Sequence, residues 1–230
     1  TYTYSPVALN SNRFYTEFTF DVHDQSTQDS PIPVYDYEDF IGMEEGQWYI
    51  LMNDISLPSS EDASMSGEEQ FAPITTQIAG LDGNNKTISF ADTYVFDGLT
   101  NVGLFAEVAS GTILQNIYVQ ITADVNFRMN VQTFNVGLLA GTNNGIITNC
   151  EVESVNGSAL SVVSTVTTSS SYVAGLVARN SGYITNSRSR LNVYSNVNLS
   201  GFVGVNTGHI ASSYFRGASL RNNTNTATEY

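Results

Sequence analysis

Between Asn101 and Phe215 one short pattern occurs four times. Gly103-Leu104-Phe105-Ala106, Gly137-Leu138-Leu139-Ala140, Gly175-Leu176-Val177-Ala178 and Gly201-Phe202-Val203-Gly204 each place a glycine before two large apolar residues and a small one. A second glycine follows at Gly111, Gly145, Gly182 and Gly208, and two residues later stands an isoleucine: Ile113, Ile147, Ile184 and Ile210. Asn116, Asn149, Asn186 and Ser212 close the units, the first being one residue longer at that point. Columns that recur together in this way mark a repeat architecture, in which no single unit can bury its apolar face alone.

The unit reads as strand, tight turn, strand. The apolar pair suits extended backbone, and the second glycine supplies either φ > 0 or a close approach of two chains. The isoleucines call for an identical neighbour above and below, so that successive coils share one core. Asparagine at the end of the unit suits a corner, because it tolerates left-handed backbone and its amide can bond to the next coil. The first glycines lie 34, 38 and 26 residues apart. That unevenness predicts loops bulging from one side, at Asp124–Thr133 and Ser161–Ser171. The fold expected is all-β, a parallel β-helix. A helical solenoid fails on residue type, since Ser, Thr, Asn, Val and Gly stand where helices want Ala, Leu, Glu and Lys. A propeller needs several antiparallel strands in each repeat.

Outside the repeats, Arg13–Val22 alternates apolar and polar residues as a strand. Tyr37–Met43, with acids in its first turn, predicts a short helix stopped before Gly46. Residues 1–45 are therefore expected to cap the solenoid, residues 46–221 to form it, and residues 222–230 to be a polar, frayed tail. Trp48–Met52 and Ile55–Leu57 read as strands, Ser59–Gln70 as a mobile polar loop, and Asp82-Gly83-Asn84-Asn85 as a turn with positive φ.

Charge narrows the partners. Eight basic residues face 22 acidic ones, a net charge of −14. Nucleic acid is disfavoured, because phosphate contacts need a basic face, and so is an anionic membrane surface. No run is long enough to span a bilayer, so no membrane insertion is expected of this fragment. The lone Cys150 excludes an internal disulfide framework and occupies the slot of Ile117, Ser187 and Ser213, as a small core residue would. The chain starts at Thr1 with no signal peptide, which suggests a mature fragment or an excised piece of a longer chain.

Candidate chemistry is sparse. Asp82, Asp92 and Asp97 with Lys86 could serve acid–base work, but a turn aspartate and two solvated loop acids account for them. Asp21, Asp24, Asp29, Asp36, Glu38 and Asp39 offer oxygen ligands for Ca²⁺ without matching the spacing of a calcium loop, so no cofactor is expected and Ca²⁺ is left as an open option. His23 and His209 lie in unrelated segments and form no zinc pattern. Arg179, Arg188 and Arg190 cluster in the third unit, followed by Arg216 and Arg221, a small basic strip that could face an acidic glycan or be ordinary surface charge. Of Thr142, Thr148 and Thr185 only two share a column, too few for the flat threonine face of an ice-binding surface.

Together with Trp48–Leu57, Phe71-Ala72-Pro73-Ile74 and Leu81–Ile88, the four quartets resemble the GLUG-motif repeats of adhesin-like extracellular bacterial proteins. The likeness runs from about Val34 to Phe215, with Ala106, Ala140 and Ala178 where the motif's last glycine would stand. It implies a right-handed parallel β-helix, an extracellular or cell-surface location and often further modules in a longer chain; it supplies no catalytic residues. The expectation is a non-enzymatic spacer or adhesion module facing glycans or surface proteins of a host or neighbouring cell. The alternative is a carbohydrate-active β-helix enzyme.

Overall fold

The computed structural model describes residues 2–4, 18–20, 26–60, 69–166, 170–217, 220–222 and 226–227. They form a parallel β-solenoid of about four turns. Each full coil runs through four walls. The first wall stacks Asn101–Val102, Asn135–Gly137, Tyr172–Ala174 and Asn198–Ser200. The second stacks Phe105–Val108, Ala140–Asn143, Val177–Asn180 and Val203–Asn206. The third has seven strands, from Ile32–Val34 through Trp48–Leu51, Gly80–Asp82, Ile113–Gln115, Ile146–Thr148 and Tyr183–Thr185 to His209–Ala211. The fourth is a ten-stranded sheet built around the long strands Thr87–Phe96 and Tyr118–Met129.

Ladder register explains why the repeats recur. On the third wall Tyr49, Leu81, Leu114, Ile147, Ile184 and Ile210 stand directly over one another. Leu81, Leu114, Ile147 and Ile184 are fully buried, and Ile210, on the last rung, packs against the core half-buried. The fourth wall carries Ile55, Ile88, Val119 and Val152 in the same manner. Burying each such side chain is worth about 1.5–3 kcal/mol, so the columns drive the stacking. Between coils, Phe90, Tyr94, Phe96 and Phe127 pack with ring centroids 5.0–6.1 Å apart, mostly edge to face. This geometry suits the ring quadrupoles.

Ile113 is not in the isoleucine column. It lies opposite Gly80 and Ile146 on the outer side of the wall, and Leu114 takes the buried place. The cause lies one residue earlier. Gly182 and Gly208 have no room for a side chain, since a Cβ would come within 2.2 Å of the Gly145 and Gly182 carbonyl oxygens respectively. The residue equivalent to Gly145 in the first unit is Thr112, because Ile146 N–H donates to Thr112 O as Tyr183 N–H donates to Gly145 O. Gly111 is an additional turn residue at φ +91°, so counting from it displaces the unit by one.

The leading glycines also slip. Gly103 aligns with Gly137 through the neighbouring Val102–Val136 pair, but Gly137 faces Ala174, not Gly175. The column of buried Val102, Val136 and Val173, continued by half-buried Leu199, sets this register. Gly175 and Gly201 return to alignment beyond the Ala174–Ser200 pair.

Other expectations change as well. Asp124–Met129 and Ser161–Ser164 belong to the fourth wall as strand, pairing through Val125–Leu160 to Met129–Ser164, and do not bulge as loops. The offset between paired coils falls from 37 residues at Glu153–Arg190 to 33 at Ala159–Asn192 and 26 at Tyr172–Asn198. The uneven repeat length therefore arises in the turn between Ser154 and Ala159 and in the connection between Val162 and Tyr172, the latter within the expected bulge. Ile32–Val34 is already the first rung of the third wall, inside the span assigned to the cap. The helix covers Tyr37–Ile41, capped by Asp36, and directs Phe40 into the core. Of the expected strand Arg13–Val22, Phe18–Phe20 pairs antiparallel with Tyr2–Tyr4; Arg13–Glu17, Asp21 and Val22 lie outside the described residues. Most of the loop Ser59–Gln70, residues 61–68, lies outside them too. In the segment expected to be a frayed tail, Asn222 pairs with Ser195 and Thr226–Ala227 folds back antiparallel on Leu220–Asn222.

Candidate functional site

Where the third wall turns into the fourth, each coil places a residue in left-handed backbone. Asn85, Asn116, Asn149, Asn186 and Ser212 have φ of 57°, 54°, 52°, 50° and 50°. Asparagine pays least among side-chain-bearing residues for this conformation. Asn149 Nδ2 donates to Asn116 Oδ1 at 2.7 Å, and Asn116 Nδ2 donates to Asp82 Oδ1 at 3.0 Å, linking three coils along the corner. Asp82 also accepts from Gln115 Nε2 and from the Asn84 backbone N–H, both at 2.8 Å. Its carboxylate is thus a corner brace.

Two residues past each corner the fourth wall points outward. Thr87, Tyr118, Glu151, Arg188 and Tyr214 form one outer column. Ser89, Gln120, Glu153 and Arg190 form the next. Corner and wall together enclose a groove of about 420 Å³, lined by the corner asparagines on one side and by Tyr118, Glu151, Arg188 and Arg190 on the other. Ile117 and Cys150 lie between the two rows.

The groove's charges are paired across coils. Glu151, 8% exposed, receives both Arg188 and Arg190, and Arg190 also reaches Glu153 at 3.2 Å. The hydrogen bond to Glu151 holds the Arg188 guanidinium protonated even more firmly than usual, with Tyr214 adding to the effect. Glu151 Oε1 is held in direct contact with the Arg190 guanidinium, whereas Arg190 Nε is buried with no hydrogen-bond partner. Cys150 is fully buried, and burial pushes its thiol up to about 12, so no thiolate nucleophile faces the groove.

The remaining candidates do not converge. Arg179 is on the second wall, its guanidinium 5.4 Å from the Tyr172 ring centroid, apart from the Arg188–Arg190 pair. Asp92 stands midway along the fourth wall, opposite Val125, well removed from the Asp82 corner. Asp36 Oδ1 caps the helix by accepting Asp39 N–H, and Asp39 Oδ2 accepts Tyr35 N–H. Asp21, His23 and Asp24 lie outside the described residues. Among the described residues no group of three or more His, Cys, Asp or Glu could hold a metal ion. His209 packs its ring 5.8 Å from that of Tyr183.

A second asparagine row escaped the sequence reading. Asn143 and Asn180 are buried at the junction of the second and third walls, and Asn206 continues the row. Asn143 Nδ2 donates to Asn180 Oδ1, and Asn180 Nδ2 donates to Asn206 Oδ1, each at 2.7 Å. The signal was present: an asparagine follows each of the last three quartets closely. In the first coil the place belongs to Val108. Comparison of the chain with protein-family models, with curated proteins and with solved structures finds no match.

Proposed function

We propose that this chain is a non-enzymatic β-solenoid module of a secreted or cell-surface adhesin-like protein, serving as a stiff spacer that carries a recognition surface for a glycan or protein partner. The observation that carries this reading is the groove's pairing: Glu151 and Glu153 are committed to Arg188 and Arg190 from the adjacent coil. A general acid or nucleophile needs a carboxylate free to exchange protons or attack. The continuous ladders make a rod in which each coil supports the next, as a spacer requires. The net charge of −14 favours solubility for a β-rich surface of this kind. No helix among the described residues is long and apolar enough to cross a membrane.

The test is an adhesion assay. Beads coated with the chain are expected to be retained on host or neighbouring cells or on extracellular matrix proteins, above beads coated with an unrelated acidic protein. Retention equal to that control removes the recognition role and leaves the spacer. One observation favours the carbohydrate-active alternative: a nearly buried glutamate, Glu151, beside two arginines in a groove. Release of reducing ends or unsaturated products from acidic or neutral polysaccharides establishes that alternative in place of the first.

A further inference from the structure

We infer that the asparagine-corner groove binds an extended, uncharged glycan lying parallel to the solenoid axis, one sugar residue to each coil. This deepens the proposed recognition role and rests on it. The groove is periodic: Asn116, Asn149 and Asn186 repeat along one side, while Tyr118, Glu151 and Arg188 repeat along the other, each step being one rung of a parallel ladder. Rungs are about 4.8 Å apart, close to the length of a pyranose residue in an extended chain. A polymer of sugars therefore meets an asparagine amide at every residue on one side, while the other side offers in turn a phenol, a carboxylate and a guanidinium.

The donor set fits hydroxyl groups. Each corner amide both donates and accepts, guanidinium groups donate, and carboxylate oxygens accept. Gln120 Nε2 donates to the Tyr118 hydroxyl at 2.8 Å, which leaves the phenolic O–H to donate elsewhere. Arg190 Nε is a buried donor without a hydrogen bond, and a sugar hydroxyl can accept from such a donor while donating to a neighbouring oxygen. Charge selects against ions. Arg188 and Arg190 are matched by Glu151 and Glu153, so an entering carboxylate or sulfate meets paired charges of both signs and gains little.

The test is calorimetric titration of the whole chain with neutral hexasaccharides of gluco, manno and galacto configuration, the matching disaccharides, and hexagalacturonate. A neutral hexasaccharide is expected to bind more tightly than its disaccharide and more tightly than hexagalacturonate. Tyr118→Ala is expected to weaken binding by about tenfold, as truncating an interface aromatic does, while Tyr118→Phe weakens it less. Tyr183→Ser, on the third wall away from the groove, leaves it unchanged. The inference is overturned if no neutral hexasaccharide binds, if hexagalacturonate binds best, or if correctly folded Tyr118→Ala binds as the parent does. Cell adhesion that persists without oligosaccharide binding overturns the groove assignment and keeps the adhesin reading. Binding that obeys all these rules and is followed by cleavage of the sugar keeps the groove assignment and overturns the non-enzymatic reading.

Discussion

Asn143 Nδ2 donates a hydrogen bond to Asn180 Oδ1 on the next coil, at 2.7 Å and out of contact with solvent. Asn143 Oδ1 also accepts the Gly145 N–H at 3.1 Å, so one amide ties its own turn and the next coil together. Such a row makes each coil the partner of a buried polar group in its neighbour, and it penalises any slip of register.

Removing the middle of that row has a definite cost. Asn180→Ala leaves the Asn143 amide short of its main acceptor in a buried corner and is expected to lower stability by about 1–3 kcal/mol. Asn206→Ala, at the exposed end of the row, also removes an acceptor from Asn180 Nδ2, but water can reach that end, so it is expected to cost less, about 0.5–1 kcal/mol. Urea unfolding of both variants measures the difference.

The buried column provides a second comparison between sequence neighbours. Leu114→Ala deletes a fully buried side chain and is expected to cost about 2–5 kcal/mol. Ile113→Ala removes a half-exposed one from the outer side and is expected to cost under about 1 kcal/mol. Equal effects in thermal unfolding would contradict the register that sets Leu114 over Ile147.

At the outer corner, conformation and hydrogen bonding separate. Asn149→Ala forces alanine to φ near 52° and removes the bond to Asn116, for an expected loss of about 1–2 kcal/mol. Asn149→Gly keeps the backbone geometry and recovers part of that loss. Chemical denaturation of both variants against the parent tests the order parent, glycine, alanine.

Cys150 gives a prediction in pH. Burial raises its thiol from the ordinary value of 9.0 to about 12, so the folded state retains a proton that the unfolded state releases. Below about pH 9 the group has no influence on stability. Between there and about pH 12 it lowers stability as pH rises, because only the unfolded chain forms the thiolate readily. Alkylation of native protein at pH 8.5 is expected to be far slower than in denaturant, and Cys150→Ala is expected to flatten the loss of stability on the alkaline side.

The repeat was legible because a solenoid writes its geometry as columns, and Ile147, Ile184 and Ile210 do share one. What failed was alignment at the ends of units. Gly111 and Gly145 look alike in sequence but do different work, one accepting a positive φ in open space and the other admitting a neighbouring carbonyl. Only the pairing of coils tells them apart, and Ile113 was misplaced for that reason. The fourth wall's extension was missed because Asp124 and Asn126 read as loop residues, whereas in the ladder they flank the buried Val125 and Phe127. The groove was only half readable. Arg188 and Arg190 stood out by charge, but their pairing with Glu151 and Glu153, 37 residues earlier, exists only once the coils are stacked.

Stacking itself is tested most directly by distances along one outer column. Ile50, Asp82, Gln115, Thr148, Thr185 and Ala211 occupy successive rungs of the third wall. With nitroxide labels introduced by Ile50→Cys paired in turn with Thr185→Cys and Ala211→Cys, pulsed electron paramagnetic resonance is expected to give narrow distributions centred near about 19 Å and about 24 Å, one rung spacing apart. Broad distributions, or distances that do not lengthen by about one rung from Thr185 to Ala211, would contradict a solenoid of stacked coils.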